Sequence, residues 1–518
     1  MSTEINNKNQ SSRQIKYGAL MSYTAVFVNI IAGMLFTPWM IRQIGQADYG
    51  LYALALSVIM FFTIDFGLGE SVSRFLSKYN AENQVEKKRD FLGVTFKLYI
   101  VIDMIIFIAL LTVFLLADTI YSELTPEELE KFKIVFIIAA FYALGSFPFQ
   151  PLNGILISHE RFVFLKAMDL FHRLLTVITM IVVLLLGFRL YGLVIVNALT
   201  GFIAIILKIH YIFRKNKMLE INFSAWDKRL LKELFSFSIW IAIIVFSQRF
   251  IFTITPSVLG AFSGTAEIAV FSIASTMEGY VWMIASALNG LFLPKVTSLL
   301  LNKNAYEEVE ALMIKVGRIQ LIIVGLLYAG FLTLGKDFVE LWLGNNFSSA
   351  YIITLLLITP SLVVLTQQIA NTALVAKNLV KYHCFGVVIM SMTSIVLSIV
   401  LSPKLGATGA GIGIFIGTIL GGVVVMNLVY SRVLRINLAV FFRECHLKLF
   451  MPIVLTILIG FLVQLYFPLG GWVGFLIKVT IVSISYSILI WKLGLNNFEK
   501  GLFLGMANNI ANSIYKNR

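Results

Sequence analysis

Eight charged side chains stand inside apolar runs where a bilayer should not tolerate them: Asp65, Glu70, Lys97, Asp103, Asp169, Arg173, Arg249 and Glu278. Arg74, nearer a boundary, stands apart from them. A charge at mid-bilayer costs at least about 2.5–3.5 kcal/mol, so each should face a wet cavity or a partner. Asp169 and Arg173 are four residues apart, as are Glu70 and Arg74, so one reading is that each neutralises its neighbour along a helix. Lys97 and Arg74 are close enough to an end to snorkel. Arg249 and Glu278 have no opposite charge within a turn of their own run. Either they pair with each other, or Arg249 offers its permanently charged guanidinium fork to an anion such as phosphate. Glu278 and Asp65, with Glu70, are then carboxyls able to exchange a proton, bind a cation or balance the arginines.

Two runs carry polar interruptions at matching places. Pro148, Gln150, Pro151 and Asn153 interrupt one; Pro360, Gln367, Gln368 and Asn371 interrupt the other. Proline frees carbonyls, which is tolerated in a membrane only against water or protein. Gln150, Gln368 and Asn371 therefore read either as hydrogen-bonding contacts to a sugar or as interhelical packing.

Catalytic chemistry finds little support. Gly330–Lys336 imitates the first part of a phosphate loop, but Asp337 replaces the magnesium-holding hydroxyl and the stretch lies in an apolar run. Cys384 and Cys445 supply neither a disulfide framework nor a zinc site. No metal, no cofactor, no ATP and no enzyme activity are expected.

The elements that position these groups must be membrane helices. The 518 residues are 59% hydrophobic and 13% charged, with a mean hydropathy of +0.88, against about 45–50% and 25% in soluble domains. Long apolar runs exclude alternating barrel strands, and about fourteen of them reach the roughly 20 residues that a transmembrane helix needs. The net charge of +14 reads as topology rather than nucleic-acid binding. With the N-terminus in the cytoplasm, about 31 of the 41 Lys and Arg fall at cytoplasmic ends. Lys87-Lys88-Arg89 lies inside and the acidic loop Glu123, Glu127, Glu128, Glu130 outside. An even number of spans then leaves both termini in the cytoplasm.

The chain also reads twice, at an offset of about 214–219 residues. Thr37-Pro38 matches Thr255-Pro256, each expected at the end of a span; Ala47-Asp48 matches Ala266-Glu267; and Gln150…Asn153 matches Gln368…Asn371. Two six-helix lobes in the same orientation follow, a parallel repeat able to enclose and rock about a central cavity. The expected boundaries are a tail at 1–16, an N-lobe at 17–214, a linker at 215–234, a C-lobe at 235–433, a second linker at 434–447, two extra helices at 448–495 and an amphipathic tail at 496–518. Gly413, Gly417 and Gly421 form a small-xxx-small ridge for close helix packing.

The sequence resembles the bacterial polysaccharide or O-antigen-type flippases of the multidrug/oligosaccharidyl-lipid/polysaccharide exporter superfamily. The resemblance rests on Pro38…Arg42-Gln43-Ile44-Gly45…Tyr49-Gly50-Leu51-Tyr52, Asp65-Phe66-Gly67-Leu68 with Arg74, Asn153-Gly154-Ile155-Leu156 leading to Arg161-Phe162, and Gly406-Ala407-Thr408-Gly409. It implies two lobes, a cationic central cavity and a groove by the last two helices for a polyprenyl tail. It also implies an undecaprenyl-diphosphate-linked oligosaccharide as partner, moved across the cell membrane, with Na⁺ or H⁺ as coupling ion. The first helix lacks an arginine cluster of the kind peptidoglycan-precursor flippases carry, which argues against that substrate. In this reading Arg249 meets the diphosphate, assisted by Arg173 or Arg74. The alternatives are a cation-coupled multidrug antiporter of the same fold and a membrane glycosyltransferase or polymerase. The latter would want catalytic acids in a sizeable external loop.

Overall fold

The computed structural model describes residues 24, 26–63, 68–214, 221–225, 227–286, 292–302, 304–501 and 504–505. All regular elements among them are helices. Lipid offers the backbone no hydrogen-bond partner, so a chain this apolar must satisfy its N–H and C=O groups within each segment. Twelve helices among the described residues are long and apolar enough to cross a membrane. The protein is a multi-pass membrane protein.

The first elements are α1 (Val26–Ile44), α2 (Gln46–Phe62), α3 (Leu68–Ala81), α4 (Val85–Leu115), α5 (Pro126–Ser146), α6 (Pro151–Ser158), α7 (Phe162–Leu185) and α8 (Arg189–Arg214). Then come α9 (Lys228–Phe252), α10 (Thr255–Phe262) and α11 (Thr265–Ser286). They are followed by α12 (Ala305–Leu343), α13 (Ser349–Ile358), α14 (Gln368–Ala376), α15 (Val380–Gly417), α16 (Met426–Val433), α17 (Lys448–Tyr466) and α18 (Gly471–Leu489). The expected fourteen spans add the 17-residue α2 to the twelve and count the 54-residue stretch Val380–Val433 twice.

By contacts the chain forms two compact units, one of residues 1–275 and 384–417, the other of 276–383 and 418–518. In the first unit one core joins α3, α4, α6, α7 and α8 through Val72, Leu76, Phe91, Leu92, Ile155, Leu156, Leu165 and Ile212. Helix starts are tied together at the opposite end. Thr125 and Glu128 form a capping box at α5, and Glu128 also accepts the Thr265 hydroxyl at 2.6 Å. Lys131 pairs with Glu127 at 3.0 Å and with Asp48 of α2 at 3.6 Å. Gly50 packs α2 so closely on the start of α11 that a Cβ there would lie 2.1 Å from the Thr265 carbonyl oxygen.

α15 is a hairpin rather than one rod. Gly406 takes φ 56°, ψ −139°, a left-handed conformation that glycine enters without Cβ strain. Glu267 caps the returning strand of helix by accepting the Ala407 N–H at 2.7 Å. Gly409, Gly413 and Gly417 then lie against Leu401, Ser398 and Ser394, where a Cβ would sit 2.6, 2.8 and 2.2 Å from the nearest atoms. The small-residue ridge is thus a packing seam against its own preceding helix.

In the second unit the core gathers Val309, Met313, Val316, Ile369, Leu374, Tyr430, Phe441, Cys445 and Leu449. The expected proline interruptions are real in both units. In the first, the chain passes through a tight turn at Phe147–Phe149 before α6. In the second, the stretch from Pro360 to Gln367 separates α13 from α14. Thr37-Pro38 behaves differently from expectation: Pro38 lies inside α1, which continues to Ile44. Pro256 does open a new helix, at a first-turn position where its missing N–H is no loss. Gly330–Asp337 sits in unbroken α12, so no phosphate loop exists there. Both cysteines are buried and free.

Candidate functional site

Arg249 is placed by a bend. α9 stops at Phe252, and the N–H groups of Thr253 and Ile254 both donate to the Arg249 carbonyl before α10 begins. One face of α9 is fixed by aromatic packing. Phe246 and Phe250 lie 4.8 Å apart by ring centroid and contact Phe61 of α2 at 5.6 and 5.1 Å. The Arg249 side chain is partly buried, with no ion pair or hydrogen bond among the described residues. It is a permanent cation in an apolar helix, with no counter-charge among the described residues.

Directly beyond this bend, within the first unit, lies a cleft of 200 Å³. Ala53, Leu56, Ser57 and Met60 of α2 form one wall, Phe252, Thr253 and Pro256 the second, and Phe271, Ser272 and Ser275 of α11 the third. Hydroxyls beside two phenyl faces suit a partly polar, partly apolar ligand surface. The Ser57 and Ser272 hydroxyls donate to the carbonyls of Leu54 and Ile268 at 2.8 and 2.7 Å.

The remaining expected residues are dispersed. Glu278 of α11 is 7% exposed and makes no hydrogen bond or ion pair among the described residues. Asp65 lies outside the described residues, as does the side chain of Glu70. Arg74 is exposed on α3, and Gln150 is half-buried at the start of α6. Gln368 donates to its own helix at the Val364 carbonyl, 3.4 Å away. Asn371 has an interhelical partner, accepting the Tyr430 hydroxyl at 2.9 Å, and next to it Gln367 donates to Asn427 at 2.7 Å. The polar face of the second interrupted run therefore contributes packing at Gln367 and Asn371.

The expected Asp169–Arg173 neutralisation is corrected. Asp169 instead faces Lys166 at 3.8 Å and Lys208 of α8 at 3.5 Å, while Arg173 is exposed and outside any ion pair among the described residues. Lys208 comes from another helix, a proximity that no local spacing reveals. Lys97 donates to the Ala225 carbonyl at 3.0 Å. Asp103 keeps one buried oxygen without a partner among the described residues. Lys478 donates to Asp337 at 3.1 Å and to Gln464 at 2.6 Å, so this intramembrane cation is fully engaged. Among the described residues no cluster of metal-ligating side chains forms.

Comparison with known proteins places this arrangement. A family model described as "Polysaccharide biosynthesis protein" matches residues 15–300. Among solved structures, the lipid II flippase MurJ in an inward closed conformation superposes with a TM-score of 0.65 at 17% identity, covering 93% of this chain and 97% of that one. An inward-facing multidrug resistance MATE family transporter of the MOP superfamily gives a TM-score of 0.63 at 15% identity, covering 80% and 99%. A MOP superfamily transporter from Pyrococcus furiosus gives 0.52 at 14% identity, covering 82% and 96%. At these identities the likeness is one of fold. No curated protein matches the chain.

Proposed function

Because the chain belongs to the polysaccharide biosynthesis protein family, we propose that it flips undecaprenyl-diphosphate-linked oligosaccharide repeat units across the cell membrane by alternating access. The observation that carries this reading is Arg249, a guanidinium without an ion pair among the described residues, at a helix bend next to a hydroxyl- and phenyl-lined cleft. The diphosphate meets Arg249, the sugars meet the cleft and Gln150, and the polyprenyl tail stays in lipid. Fixed donors replace the head group's water during passage, which lowers the cost of moving its charge through an apolar slab. Lobes at 17–214 and 235–433, fourteen spans and cytoplasmic termini belong to this proposal. Asn371 acts in it through its bond to Tyr430, as a joint in the wall rather than a sugar contact. Removing the protein from cells should leave lipid-linked repeat units accumulating on the inner leaflet; their normal export would end the proposal.

One observation favours a second reading. Glu278 is buried without a partner among the described residues, as a carboxyl that takes a proton or Na⁺ would be. In a cation-coupled multidrug antiporter this carboxyl is essential and Arg249 is dispensable. In the flippase, Glu278 serves coupling or charge balance, with Asp65 and Glu70.

A further inference from the structure

We propose that Lys166 and Arg173 of α7, with Lys208 of α8, form a capture site for a lipid-linked diphosphate on the cytoplasmic side, with Asp169 as the counter-ion that the diphosphate displaces. This rests on the reading of the substrate as a diphosphate lipid, and adds a second station on different helices from Arg249.

Lys166, Asp169 and Arg173 occupy positions i, i+3 and i+7 of α7, a single stripe along one face. The stripe is open: the Lys166 and Asp169 side chains are 41% and 46% exposed, and Arg173 is exposed as well. At 1.5 Å per residue Arg173 lies roughly 16 Å from the start of α7, about half the thickness of a hydrocarbon core. Arg173 at that depth is costly to hold against acyl chains, so we infer that the stripe lines a hydrated recess.

The carboxylate of Asp169 is held in an unusual way. Its Oδ1 faces Lys208 at 3.5 Å and its Oδ2 faces Lys166 at 3.8 Å. Both separations exceed the roughly 2.7–2.9 Å of a charge-assisted hydrogen bond, so the anion is loosely bridged between two ammonium groups. One phosphate has the charge and oxygen spacing to take that place, and Arg173, a turn deeper, offers a bidentate fork to the second. Lys208 is positioned for this role by a further bond, donating to Asn153 Oδ1 at 3.0 Å. Behind the stripe His172, Thr176 and Thr200 link α7 to α8, which holds the three cations in register. Three cations against one anion leave an excess positive charge that a diphosphate balances.

The test measures binding of farnesyl diphosphate, farnesyl monophosphate and inorganic diphosphate to the full-length protein in nanodiscs. Lys166→Gln and Arg173→Gln should each weaken farnesyl diphosphate about tenfold, and Asp169→Asn should tighten it several-fold by removing the competing anion. Farnesyl monophosphate should bind more weakly than the diphosphate. Arg173 makes no hydrogen bond or ion pair among the described residues, so its variant reports on binding rather than folding. Unchanged affinity in both Lys166→Gln and Arg173→Gln, with loss in Arg249→Ala, overturns the capture site and leaves the flippase reading standing. Equal affinity for inorganic diphosphate overturns the assignment to a lipid-linked ligand. Absence of farnesyl diphosphate binding to the unaltered protein ends both proposals.

Discussion

Arg318 and Glu499 meet as a buried, two-pronged ion pair inside the second unit. Arg318 Nε donates to Glu499 Oε1 at 2.5 Å and Nη2 to Oε2 at 2.8 Å, with the two side chains 4% and 2% exposed. Two further guanidinium hydrogens, on Nη1 and Nη2, go to the carbonyls of Glu444 at 2.7 Å and Gly494 at 2.6 Å. Both carbonyls belong to wide π-helical turns, 442–447 and 490–494, whose altered register frees them for a side-chain donor. Asn496 and Glu499 also cap the tail helix reciprocally. One arginine of α12 therefore ties the ends of α17 and α18 to the start of the tail.

Removing one partner of such a pair leaves the other buried and uncompensated. Glu499→Ala should destabilise the protein by about 3–5 kcal/mol. Replacing both residues with apolar groups, Arg318→Met with Glu499→Leu, should recover much of that loss. Thermal unfolding of the detergent-purified variants reads the difference.

The hairpin at Gly406 gives a sharper steric prediction. Gly417→Val would drive a side chain into Ser394 Oγ and the Met390 carbonyl, and Gly413→Val into the backbone of Ser398. Each should cost about 1–3 kcal/mol or block assembly. Gly279→Ala, with open space around its Cβ position, should be tolerated better. Expression and monodispersity on size-exclusion chromatography compare the three.

His159, in the turn between α6 and α7, should make stability depend on pH. Burial lowers its pKa from the usual 6.5, with Lys88 and Arg161 adding repulsion. Its Nδ1 faces the Ile155 carbonyl at 2.9 Å, and Nε2 faces Lys88 Nζ at 3.2 Å. That geometry fits a neutral ring donating through Nδ1 and accepting through Nε2. The unfolded chain takes up a proton near 6.5 and the folded chain only at lower pH. This contribution to stability is therefore full above 6.5 and is lost as pH falls below it. His159→Gln, which keeps an acceptor for Lys88, should flatten the slope between neutral and mildly acidic pH in a melting series.

Arg249 and Glu278 separate the two transport readings. Arg249→Ala should abolish surface-polysaccharide export in cells while Glu278→Gln reduces it in a manner that follows the ion gradient. An antiporter would show the reverse: drug resistance lost in Glu278→Gln and kept in Arg249→Ala.

Much of this was legible in the residues. The interruptions at Pro148–Pro151 and Pro360–Gln368 announced breaks because proline removes a donor wherever it falls. The glycine ridge announced close packing because only small residues permit it. The pairing of Asp169 was misread, since helical spacing sees Arg173 but not Lys208 on a neighbouring helix. The tail was read only as an amphipathic segment. Phe498 does sit under Lys315 Nζ at 3.7 Å, but Glu499 turns inward to Arg318, and residues 506–518 lie outside the described residues. The Asn496-x-x-Glu499 spacing is a capping signal that could have fixed where this helix begins. The π-helical turns that receive Arg318 leave no such mark in sequence.

The central claim is that Arg249, beside the first-unit cleft, carries a diphosphate head group across the bilayer. The most direct measurement reconstitutes the protein in liposomes containing a fluorescent undecaprenyl-diphosphate oligosaccharide and follows its exposure to a membrane-impermeant quencher. The account predicts protein-dependent movement between leaflets that is lost in Arg249→Ala and needs no ATP. Movement at an undiminished rate in Arg249→Ala, or none with the unaltered protein under an imposed Na⁺ or H⁺ gradient, would contradict it.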